Sequence, residues 1–96
     1  MSTPETISAN AVPGIARGHR LQFEPAQACH VLLYPEGMIT LNDSAAEILQ
    51  RCDGQRSVQA ICDDLSAAFD GADVTTDVHE FLALAASHGW IVFDRV

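Results

Sequence analysis

Two short apolar runs, Val31-Leu32-Leu33-Tyr34 and Met38-Ile39-Thr40-Leu41, meet at Pro35-Glu36-Gly37, and a helix-starting signal follows at once in Asn42-Asp43-Ser44. No other stretch constrains the chain as tightly, because it reads as a β-hairpin running straight into a helix. Pro35 presets φ for the first central position of a type I turn, Glu36 is tolerated at the second, and Gly37 is expected to supply the left-handed residue of a bulged hairpin. Ser44-Ala45-Ala46-Glu47 matches a capping box, in which Ser44 and Glu47 satisfy each other's free backbone donors. The second strand of the hairpin then lies directly beside the first helix, and such an edge can accept an extended peptide.

Upstream, Arg20-Leu21-Gln22-Phe23-Glu24 alternates polar and apolar residues, which predicts a half-buried strand with Leu21 and Phe23 inward, ended by Pro25. Cys29 to Tyr34 is apolar on both faces and reads as the central strand. The strand Met38 to Leu41 places Ile39 and Leu41 on one face. Residues 1–16 carry Pro4, Pro13 and Gly14 among small and polar side chains, so a mobile tail is expected there, ahead of one domain at 17–96. Downstream, about Asp43 to Cys52 reads as a helix with Ala45, Ile48, Leu49 and Cys52 on its apolar face and Asp53-Gly54 as its stop. A second helix, capped by Ser57 and ended by Gly71, carries the stripe Val58, Ile61, Cys62, Leu65 and Phe69.

Thr75 or Thr76 is expected to cap a third helix, with Asp77 in its first turn and Val78, Phe81, Leu82 and Ala85 as the buried stripe before Gly89. Leu84 and His88 fall on a neighbouring face that Phe81 borders, so this helix has more apolar surface than one core contact requires. Trp90-Ile91-Val92-Phe93 closes the pattern as a short strand or strap. The order predicts an α+β, winged helix-turn-helix-like domain in which a three-stranded antiparallel sheet is followed by three helices.

With 96 residues the chain suits a single domain. No apolar run approaches the ~18 residues of a membrane span, and Met1 to Ala11 has neither a basic start nor an apolar block. The expectation is a soluble protein with no membrane partner that stays in the cytoplasm. Thirteen acidic residues against five arginines give a net charge of −8, which repels phosphate backbones. A winged-helix transcription regulator is the natural rival reading. However, the third helix, the one that would enter a groove, has no Arg or Lys from Thr75 to Gly89, so no nucleic-acid partner is expected.

The three cysteines, Cys29, Cys52 and Cys62, form no C-x-x-C pair and read as small apolar fillers. His19, His30, His79 and His88 are scattered without metal-ligand spacing, so they are read as surface or rim histidines, with no metal site. Asp63-Asp64 reads as a solvated face of the second helix rather than a carboxylate dyad. No nucleophile motif or phosphate loop is present, and the chain is not expected to be an enzyme. Arg17 and Arg20 are either solvated or hold a carboxylate, from an acidic partner or from this chain itself. A general protein-interaction module remains the other alternative to a peptide binder.

Taken together, Arg17-x-x-Arg20-Leu21-Gln22, Leu32-Leu33-Tyr34-Pro35-Glu36-Gly37, Leu41-Asn42, Ala45, Ile48-Leu49 and Asp53-Gly54 closely resemble the PqqD family, over about Pro13 to Trp90. The resemblance implies a RiPP recognition element, a winged helix-turn-helix domain that binds a ribosomally made precursor peptide instead of DNA. It implies that the chain captures the precursor PqqA and presents it to the radical S-adenosylmethionine enzyme PqqE in pyrroloquinoline quinone biosynthesis. Iron-sulfur clusters and S-adenosylmethionine would belong to that enzyme, and no cofactor is expected here.

Carried over by position, the resemblance assigns backbone pairing with the peptide to Met38, Ile39, Thr40 and Leu41, and the groove to Phe81, Leu84 and His88. Edge strands are usually blunted by Lys, Pro or a bulge, yet Met38 to Leu41 carries no charge, which suits an edge that takes a partner. The competing reading has the first helix or the C-terminal strap covering this edge. An open edge further implies a working monomer, with an edge-paired or swapped dimer at high concentration.

Overall fold

Apolar side chains on both faces of Cys29–Tyr34 place that strand in the middle of an antiparallel sheet, as the pattern predicts. In a computed structural model, which describes residues 7–94, the chain runs β1 (Val12–Ile15), β2 (Arg20–Glu24), β3 (Cys29–Tyr34), β4 (Gly37–Thr40), α1 (Asp43–Gln50), α2 (Val58–Ala68), α3 (Thr75–Ser87) and β5 (Ile91–Asp94). One sheet has the order β2-β3-β4, and a separate two-stranded sheet pairs β1 with β5. Leu21 opposes Leu32, and Leu32 opposes Ile39, so one face of the sheet presents an apolar row. The helices close over it. Leu32, Leu49, Ile61, Val58, Val78 and Leu82 are all shielded from solvent, which defines one core between the sheet and all three helices.

Two local expectations are corrected at the hairpin and at the start of α1. Tyr34 pairs directly with Gly37, so Pro35 and Glu36 alone form the loop. Gly37 is not in the left-handed region and there is no bulge. Its smallness still matters: a Cβ there would lie 3.5 Å from Tyr34 Oη, in contact with the ring that covers it.

At α1 the cap is Asn42, not Ser44. Its extended backbone (φ −78°, ψ 174°) places Oδ1 2.8 Å from the amide of Ala45. Ser44, already inside the helix, donates to the same oxygen, and Glu47 turns away to Arg51. Ser57 caps α2 as expected, accepting from the Ala60 amide. α3 starts after Val74 with no side-chain cap at that position, and Asp73 instead accepts from the Thr75 amide.

The tail boundary expected at residue 16 also moves. Val12–Ile15 is a strand, and Pro13, which lacks an N–H, is buried opposite Phe93 while its carbonyl accepts from Gly54. A Cβ on Gly14 would lie 3.3 Å from Gly54 Cα, so β1 packs tightly against the α1–α2 connection. Residues 1–6 of the expected tail lie outside the described residues.

Two aromatic residues assigned to the core sit at its margin. Phe23 is half exposed and meets His30 edge-on at 5.1 Å, and Phe69 is half exposed as the C-cap of α2. Cys52 and Cys62 are buried as expected, and burial pushes the Cys52 thiol up to about 12, which keeps it protonated and unreactive.

The acidic pair on α2 divides into two roles. Asp63 accepts from Gln59, whereas Asp64 receives Arg51 and Arg56, and Arg51 also holds Glu47 at 2.8 Å. This network ties the end of α1 to α2. The Arg51 hydrogen bond holds the Asp64 carboxyl below the usual aspartate range, and backbone amides of Gln55 and Arg56 do the same for Asp53. Because both folded values are depressed, their stabilisation is complete above the ordinary aspartate pKa of ~3.9 and is lost as pH falls through the lowered values. Urea titrations of the wild type below about pH 4 should therefore show stability falling with pH, and Asp64→Asn should flatten that slope.

The β2–β3 connection carries a second testable feature. Ala28 adopts φ 54° without being glycine. Ala28→Gly relieves that left-handed strain and is expected to raise stability by about 0.5–1 kcal/mol, read as a shift in denaturation midpoint at unchanged slope.

Candidate functional site

β4 carries no charged residue, and its outer side pairs with no strand among the described residues, because β5 pairs with β1 instead. In the competing reading the C-terminal strap or α1 closes this edge; the strap lies in the other sheet and α1 leaves the end of β4 at Asn42. The register decides which backbone groups face outward. Leu41 donates its N–H to the His30 carbonyl at 2.9 Å, and Val31 opposes Thr40, Leu32 opposes Ile39 and Leu33 opposes Met38. Antiparallel pairs alternate between bonded and non-bonded positions. Leu41, Ile39 and Gly37 therefore spend their N–H and C=O groups on β3, while those of Met38 and Thr40 point to the open edge.

The four strand residues expected at the site thus divide. Met38 and Thr40 are exposed and carry the free edge groups. Ile39 is half-buried against the core, and Leu41 is buried, past the end of β4. The last two position the edge; they do not offer it donors.

On α3, Phe81, Leu84 and His88 follow one another at helical spacing along one stripe. Leu84 is 49% exposed, far above what a core leucine shows, and Phe81 is half-buried with its ring 6.5 Å from that of Trp90. His88, the C-cap of α3, stacks on Trp90 at 4.9 Å. Trp90 thus joins the stripe to the β1–β5 sheet.

Ile39 and His88 meet across an open cleft that His19, Tyr34, Glu36, Gly89 and Trp90 complete. His19 stacks on Tyr34 with ring centroids 6.1 Å apart, so one wall of the cleft is the β2–β3 side and the other is the end of α3. Reasoning from the sequence does not assign these last five residues to a site, because they come from separate segments of the chain. The signal that points to two of them is the Tyr34-Pro35-Glu36 turn itself. Arg17 and Arg20 are exposed and form no ion pair with the chain's own carboxylates among the described residues.

Comparison with known proteins places the sequence and the fold in one family. The family model described as coenzyme PQQ synthesis protein D (PqqD) matches residues 29–91. A PqqA binding protein of Azotobacter vinelandii is 54% identical over 85% of this chain and 90% of its own length. A PqqA binding protein of Rahnella aquatilis is 48% identical over 92% of this chain and 94% of its own. Among solved structures, the solution NMR structure of the PqqD truncation of Methylobacterium extorquens PqqCD, a functional and stand-alone RiPP recognition element, superposes with a TM-score of 0.75 at 33% identity, covering 96% of this chain and 98% of that one. An α+β chain whose sequence and fold coincide with these relatives over most of its length belongs to the PqqD family.

Proposed function

We propose that this chain binds the ribosomal precursor peptide PqqA as an added strand on β4 and presents it to the radical S-adenosylmethionine enzyme PqqE. The observation that carries the reading is the uncharged β4 edge, with the outward N–H and C=O groups of Met38 and Thr40 available, while Ile39 of the same strand shares a cleft with His88 at the end of the α3 stripe on which Leu84 is exposed. Backbone pairing supplies affinity that is largely independent of peptide sequence, and Leu84, Phe81 and His88 select the side chains that turn toward α3. The relatives' name, PqqA binding protein, and the recognition-element likeness support the same partner.

In this reading the chain is a binding element without chemistry of its own, working as a monomer in the cytoplasm, because a second copy on β4 would occupy the peptide's place. No helix among the described residues is long and apolar enough to cross a membrane. The rival role of a DNA-binding regulator is disfavoured by the −8 charge and by an α3 free of Lys and Arg. The test is an amide NMR titration with PqqA, and with duplex DNA as the control. Shifts should concentrate on residues 37–41 and on α3, and DNA should move nothing. Shifts confined to another face would remove the β4 assignment.

A further inference from the structure

The cleft at the hairpin end has a chemistry of its own. Its lining is rich in aromatic rings: Tyr34 stacked with His19, and Trp90 stacked with His88, together with Ile39. The one formally charged side chain lining it is Glu36, held at the tip of the hairpin. A third contribution comes from α3, whose C-terminal end, His88 and Gly89, also lines the cleft. A helix terminus of this kind carries roughly half a negative charge, and the last turn of α3 contains no basic residue to offset it. Arg20 does not supply that offset: it opposes Leu33 and so projects from the sheet face opposite to that of Leu21 and Ile39, and neither it nor Arg17 lines the cleft.

Aromatic rings, one carboxylate and a helix C-terminus without a basic residue all favour the same occupant. Ring quadrupoles attract a cation over their faces, a guanidinium stacks on them as well, and the hydrocarbon stem of Lys or Arg suits an apolar neighbour such as Ile39. The space, about 660 Å³ and open to solvent, admits a long side chain with its charged head near Glu36. We infer that this cleft is a specificity pocket for one cationic side chain, Lys or Arg, of the peptide that adds to β4. The inference rests on the strand-addition reading, and it assigns Glu36, Tyr34 and Trp90 a role in choosing the peptide's register. Ile39 joins the two, since it belongs to β4 and to the cleft at once. A strand laid along β4 must run past the pocket at the hairpin end, so a basic residue seated there fixes which peptide residues face Met38 and Thr40.

The test is a double-mutant cycle measured by calorimetry with full-length chain and synthetic PqqA. Glu36 is exposed in a turn, so Glu36→Gln leaves the fold in place. It is expected to weaken binding about threefold to tenfold. That loss should vanish against the one PqqA variant in which the seated Lys or Arg is replaced by Gln, each basic residue of the peptide being replaced in turn. His88→Lys, which places a fixed positive charge on the wall, should weaken binding of PqqA more than His88→Phe, which keeps a ring. An unchanged affinity for Glu36→Gln, or a loss equal against every peptide variant, overturns the inference. Coupling of Glu36 to an aromatic peptide residue instead of a basic one overturns it too, in favour of a stacked ring. If Thr40→Pro abolishes binding while Glu36→Gln is inert, only the pocket falls; if the wild type shows no saturable binding of PqqA, the strand-addition reading and the pocket fall together.

Discussion

Replacing Thr40 by Pro is expected to weaken PqqA binding by roughly tenfold or more while leaving the protein folded. The N–H of Thr40 points away from β3, so its removal breaks no bond of the sheet, and proline is tolerated on the open side of an edge strand. The preceding residue, Ile39, is already extended in β4, as a residue before proline prefers. What disappears is one donor to the incoming peptide, worth about 0.5–1.5 kcal/mol net, together with the close approach that the proline ring now obstructs. Each 1.4 kcal/mol or so is tenfold in affinity, so the two effects together set the expected size. Ile39→Pro serves as the contrast, because the N–H of Ile39 is given to β3 and its loss should unfold the hairpin. Calorimetric affinity alongside far-UV circular dichroism separates the outcomes. A folded Thr40→Pro protein that binds PqqA with wild-type affinity would remove strand addition as the mode of binding.

The second large effect separates stability from binding within one helix. Leu82 and Leu84 lie two residues apart on α3, about 200° around the axis, so they face nearly opposite ways. Leu82 is fully buried in the core with Leu32 and Leu49, whereas Leu84 is half exposed on the stripe that leads to His88. Leu82→Ala should cost about 2–5 kcal/mol, from lost burial plus the cavity left among neighbours that relax only partly. For a domain of this size that is a large share of a total near ~5–15 kcal/mol, and the urea midpoint should fall accordingly. Leu84→Asp should cost only about 1–2 kcal/mol, from lower helix propensity, a carboxylate near the helix C-terminus and loss of a half-exposed side chain, well short of the Leu82→Ala loss. The same substitution should sharply weaken PqqA binding, because it puts a charge where an apolar peptide side chain is meant to rest. Wild-type affinity in Leu84→Asp would take the exposed stripe out of the site, and a large stability loss there would show that Leu84 is core after all.

The elements of this protein that depend on near neighbours in the chain were legible from residue order. A two-residue period marked β2 and β4, apolar residues on both faces marked β3 as central, and the 3.6-residue stripes of α2 and α3 named Ile61, Leu65, Val78 and Leu82 as core. The absence of charge on β4 and the spare apolar face at Leu84 were legible for the same reason: each is a property of a single element, whereas it took the pairing of β5 with β1 to leave β4 at an edge. Tertiary structure alone decided what joins elements far apart. Pro13 and Gly14 look like strand breakers, yet they form β1, because β5 from the other end of the chain offers a partner and Pro13 needs no N–H where it sits. Asn42 displaced Ser44 as the cap because capping depends on which residue takes the extended backbone before the first turn, and three polar residues in a row leave that choice to the packing of α1 on the sheet. Phe23 and Phe69 keep their element's period yet stay half exposed, because how much of a stripe is covered depends on the neighbouring elements and not on the stripe itself. The cleft is the furthest from sequence. His19, Glu36, Ile39 and Trp90 share no period or motif, and only the antiparallel return of β3 and β4, with α3 laid across their end, brings them together.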